Sequence, residues 1–72
     1  MEILMFPKYV VKEYDGDKCV YNSDPMKLEN AHKIARRHAA DWSLPTEDNW
    51  TWRRNYCPIR VCIVEWPDTY NV

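Results

Sequence analysis

The side chains best suited to making contacts are concentrated in Asp48-Asn49-Trp50-Thr51-Trp52-Arg53-Arg54-Asn55-Tyr56-Cys57, one short run that holds two indoles, two guanidiniums and a phenol. Arginine beside tryptophan and tyrosine is the make-up of an interface hot spot, because these side chains combine large contact area with directional donors. The same groups stack on bases and pair with phosphates. Alternation of Trp50 and Trp52 also fits indoles turned inward to the core of a small domain, and the sequence leaves both readings open. A second basic group, Lys33-Ile34-Ala35-Arg36-Arg37, places three cations on the outward stripe of an amphipathic segment, where they suit phosphates or an acidic protein face. Lys33, Arg36, Arg37, Trp50, Trp52, Arg53, Arg54 and Tyr56 are therefore the expected partner-contact residues.

The remaining reactive side chains do not assemble into a motif. Cys19, Cys57 and Cys62 contain no C-x-x-C pair, and Cys57 and Cys62, five apart in a strand-like region, point to opposite faces, so no metal site is expected. His38 near a cysteine would need an orienting third residue that the sequence does not identify. Gly16 is the sole glycine, which excludes phosphate-cradling loops. The expectation is a protein without catalytic residues, metal or cofactor.

Something must hold the contact residues in place, and 72 residues allow one domain. At that size only about 60% of the unfolded surface can be buried, so no deep cofactor crevice is expected. A composition that is 46% hydrophobic and 29% charged belongs to a folded chain. Net charge is −1, so attraction to nucleic acid would rest on local segregation of charge. That segregation is present: residues 27–40 are basic apart from Glu29, Asp41, Glu47 and Asp48 are acidic, and Arg53, Arg54 and Arg60 follow. The apolar opening run from Met1 to Phe6 stops at Pro7, far short of the about 20 residues that span a bilayer, so no membrane partner is expected. An odd cysteine count without framework spacing points to a reducing cytoplasm, and there the sequon Asn49-Trp50-Thr51 has no consequence.

Tyr9 to Tyr14 and Lys18 to Tyr21 flank Asp15-Gly16, the dipeptide that favours a two-residue hairpin loop. That loop would set Glu13 opposite Lys18 and Val11 opposite Val20. Asp24-Pro25 has the form of a helix start, followed by Leu28, Ala31, Ile34, Ala35, Ala39 and Trp42 at helical spacing, until the pattern decays near Ser43 and Pro45 stops it. Pro58 to Trp66 alternates as a strand, with Ile59, Val61 and Ile63 on one face, and Trp50 to Arg53 is a candidate partner strand. Trp42 and Trp66 are expected in the core. The fold class is α+β, a single helix on a small antiparallel sheet in the order ββαβ or ββαββ, with residues 67–72 as a tail.

The segment "KYVVKEYDGDKCVYNSDPMKLENAHKIARRHAADW" resembles small phage-encoded inhibitor proteins, among them some anti-CRISPR proteins, in its opening strand Tyr9 to Glu13 and its helical Ala31 to Ala35. The resemblance covers about half the chain. It implies a stoichiometric binder that blocks a host machine, such as a CRISPR effector complex, by occupying a surface in the host cytoplasm. A short phage inhibitor of bacterial RNA polymerase is similar in element order. The expected partner is accordingly a host protein or nucleoprotein complex. A small nucleic-acid-binding module and a homodimer buried along the Trp-rich strand are the alternatives.

Overall fold

A computed structural model of the protein describes residues 8–66. In chain order the elements are β1 (Lys8–Asp15), β2 (Lys18–Asn22), α1 (Leu28–Asp41), β3 (Thr46–Asp48), β4 (Thr51–Arg53) and β5 (Ile59–Trp66). The class is α+β as expected, but the order is ββαβββ, because the acidic stretch after the helix forms an additional edge strand. Asp48 makes this possible: its Oδ1 accepts the Trp50 N–H at 2.7 Å and closes a tight hairpin between β3 and β4. All three β3 residues are exposed, so no hydrophobic alternation announces the strand. The expected tail at residues 67–72 and the opening run at residues 1–7 lie outside the described residues.

The sheet order is β2-β1-β5-β4-β3, every pair antiparallel. Its centre is the pairing of the first and last strands, in register from Lys8 opposite Trp66 to Asp15 opposite Ile59. Alternation decides what each face does. Tyr9, Val11 and Glu13 of β1, Trp52 of β4 and Ile59, Val61 and Ile63 of β5 face the helix and are buried. Val11 and Val61 are fully enclosed; burial of such side chains is worth about 1.5–3 kcal/mol each. Arg53, Arg60, Cys62, Val64 and Trp66 take the other face, which α1 does not cover. Trp66 is 44% exposed for that reason, contrary to the expected core position.

The helix presents Ala31, Ala35 and Ala39 to the sheet, a small-residue stripe that lets it approach β1, β4 and β5 closely. It starts at Leu28, later than Asp24-Pro25 suggests. Tyr9 and Met26 exchange backbone hydrogen bonds at 2.8 Å in both directions, so the chain first runs alongside β1. Ser23 reinforces this detour: its hydroxyl accepts the Val11 N–H at 2.9 Å while its own N–H donates to the Val11 carbonyl. At the other end Ser43 N–H donates to the Ala40 carbonyl and Leu44 N–H to the Ala39 carbonyl, with Ser43 at φ 55, which is a Schellman stop. Leu44 then turns into the core, whereas Trp42, at the C-cap, is half exposed and not the core residue its spacing suggests.

The first hairpin has its loop one residue later than expected, which moves the strand pairing by two residues. Its loop is Gly16-Asp17, with Asp15 opposite Lys18 and Tyr14 opposite Cys19. Gly16 at φ +65 supplies the positive φ at the first loop position, and a bulge at Val20 then brings Glu13 opposite Tyr21.

Candidate functional site: a basic corner at the end of the sheet

The Trp-rich run divides according to strand geometry. Trp52 is 5% exposed and packs under α1, where His32 meets its ring edge-on at 5.8 Å between centroids. Trp50 is half buried, edge-on to Tyr9 at 5.1 Å. Both indoles therefore act in the core, and in this fold Trp52 offers no surface to a partner. Of the polar residues that alternate with them, Thr51 is half buried and Arg53 is exposed.

Arg53 lies on the uncovered face, directly opposite Arg60 of β5. Its Nε is 3.6 Å from Glu47 of the edge strand. Arg54 leaves the strand in the other direction and donates to the Ser43 carbonyl just past the helix C-terminus. Adjacent in sequence, the two guanidiniums border one shallow open depression of about 440 Å³ together with Pro45, Glu47 and Asn55. Tyr56 follows in the turn that Cys57 N–H closes onto the Arg54 carbonyl at 3.2 Å. It is wholly exposed and sits at φ 68.

A positive φ is costly for a bulky residue and is ordinarily taken by glycine or asparagine at this turn position. The Tyr56 ring recovers none of that cost by burial. Such outliers occur where a side chain must be presented.

The three helix cations are exposed, as expected. Arg36 follows His32 by four residues and so shares the flank of α1 that leans over β4. Seven residues separate Arg36 from Ser43, about 10 Å along a helix axis, so the ridge runs toward the end of the helix where Arg54 is held. Lys33 and Arg37 occupy the crest.

One polar cluster escapes a reading of the sequence. Glu13, expected as a surface partner of Lys18, is 8% exposed and accepts a hydrogen bond from His38 Nδ1 at 2.8 Å. The Tyr21 ring lies against the imidazole at 4.2 Å between centroids. The signal was the alternation Tyr9, Val11, Glu13, which places the carboxylate on the helix face, and the position of His38 next to Ala39. This pair ties the helix to β1 and leaves the basic corner at the far side of the sheet.

Cys62, on the uncovered face, has its thiol pKa raised by burial, with Arg60 and Lys12 acting in the opposite direction. All three cysteines are free, and no group of metal-binding side chains occurs among the described residues. No described helix is long and apolar enough to cross a membrane. No family model matches the chain, and no curated protein or solved structure matches it either.

Proposed function

We propose that this chain is a small interaction protein that binds and inhibits a host nucleic-acid-processing complex, a CRISPR effector being the type its sequence resemblance suggests and RNA polymerase the other machine of that kind. The observation that carries this reading is Tyr56, two residues after Arg54, fully exposed in a backbone conformation unfavourable to tyrosine. Folding stability gains nothing from such an arrangement, whereas a partner that covers the ring gains both area and a hydrogen bond. The ridge of Lys33, Arg36 and Arg37 supplies charge that draws in and orients an acidic protein face. Inhibition then needs no chemistry from this chain, only occupancy.

The test is capture of host proteins from a bacterial lysate on the tagged chain, with and without nuclease, followed by titration of the captured machine's activity. The reading expects one multi-subunit complex under both conditions, inhibited at near-equal stoichiometry. Loss of every partner after nuclease treatment, or capture without inhibition, would contradict it.

A further inference from the structure

We propose that Arg53, Arg60 and Tyr14, at one end of the sheet face that the helix leaves uncovered, form a binding site for single-stranded nucleic acid. Arg53 also borders the depression beside the Tyr56 corner, but Arg60 and Tyr14 do not line it, and the inference goes beyond the protein-binding reading. Its first support is a conflict within the sheet. Arg53 and Arg60 are directly opposite on neighbouring strands. Like charges in that position destabilise the pairing, because neighbouring strands lie only about 4.8 Å apart. Glu47 offsets Arg53 in part, at 3.6 Å across exposed surface, but among the described residues Arg60 has no carboxylate partner. An anionic ligand that meets both guanidiniums removes the repulsion.

The second support identifies the anion. The Arg60 guanidinium lies over the Tyr14 ring at 4.5 Å from its centroid, an arrangement of flat groups on a sheet surface. Planar guanidinium and tyrosine faces accept stacked bases while the paired cations take phosphates. A peptide carboxylate would use the charge and leave the stacking surface unused. The three residues lie side by side on β1, β5 and β4, on the face opposite α1, and an open sheet face suits an extended single strand. The opposite end of the same face lies outside the site: Val10 is already buried there and Lys12 is engaged in contacts of its own. The acidic Glu47 and Asp48 of the edge strand bound the site on its other side. With a net charge of −1 there is little long-range attraction, so binding depends on these few groups.

The experiment is fluorescence anisotropy of a labelled oligodeoxythymidine of about 12 nucleotides against the full chain over a range of salt. Two neutralised phosphates predict a slope of log affinity on log salt of about −1.4 for a single strand. Arg60→Gln should weaken binding about tenfold and reduce the slope to about −0.7, with an unfolding midpoint unchanged or raised. Arg53→Gln should act in the same direction. Absence of binding, binding indifferent to both variants, or equal competition by polyglutamate would overturn the proposal, the last by assigning the cations to an acidic protein. Arg60→Gln should leave nuclease-resistant capture of a host complex intact. Failure of oligonucleotide binding with capture preserved therefore removes this inference alone, and the reverse result removes the protein-binding reading alone.

Discussion

Single residues in this chain are held for different reasons, and stability measurements separate them. Ser43 and Tyr56 both sit at positive φ, but Ser43 ends a helix whereas Tyr56 presents a ring to solvent. Ser43→Gly should stabilise by about 0.5–1 kcal/mol, since glycine removes the left-handed penalty at a cost in unfolded-chain entropy, and chemical denaturation would read it as a higher midpoint. Glu13→Ala, in contrast, leaves His38 without its acceptor and should cost about 1–3 kcal/mol in the same assay. The cysteines differ too. Burial holds the Cys62 thiol pKa up, so the folded chain keeps that proton at a pH where an unfolded chain releases it. Its contribution to stability is present below the unfolded pKa and is lost as pH rises through the folded value. Iodoacetamide at mildly alkaline pH should therefore modify exposed Cys19 well before Cys62, and mass spectrometry of the digest would show the order.

At the scale of elements, legibility followed burial. The alternation of Ile59, Val61 and Ile63 and the helical spacing of Ala31, Ala35 and Ala39 identify β5 and α1 because each buries one face; of the other residues at that helical spacing, Leu28 and Ile34 are partly buried and Trp42 is half exposed. Where no burial accompanies the backbone, the sequence carries little signal. The edge strand Thr46–Asp48 is wholly exposed and is defined by a side chain closing a turn, and the start of α1 is displaced by a backbone exchange between Tyr9 and Met26 that no local propensity encodes. The candidate site divides in the same way. The exposure of the helix cations follows from periodicity, but the separation of Arg53 from Arg54 and the strained display of Tyr56 depend on the exact turn. Close approach of helix and sheet rests on the alanine stripe. Ala35→Leu should force them apart and cost about 1–3 kcal/mol, seen as a fall in melting temperature of roughly 4–8 °C per kcal/mol for a domain of this size.

Among the described residues, nearly all of the buried apolar side chains lie in the single layer between α1 and the sheet, and a basic ridge, a strained tyrosine corner and the Arg53 and Arg60 end of the sheet face opposite α1 are left outward. A 72-residue chain has little core to spare, so exposed strain and like-charge pairing weigh heavily against a marginal stability. Their retention supports reading the outer surface as the working part of the protein. The most direct measurement is a comparison of wild type with Tyr56→Gly, each tagged and captured from nuclease-treated bacterial lysate, with thermal unfolding recorded on the same preparations. The account predicts that Tyr56→Gly is at least as stable as wild type and no longer retains the host complex. Equal retention of that complex by both proteins, or a Tyr56→Gly variant that fails because it unfolds, would contradict it.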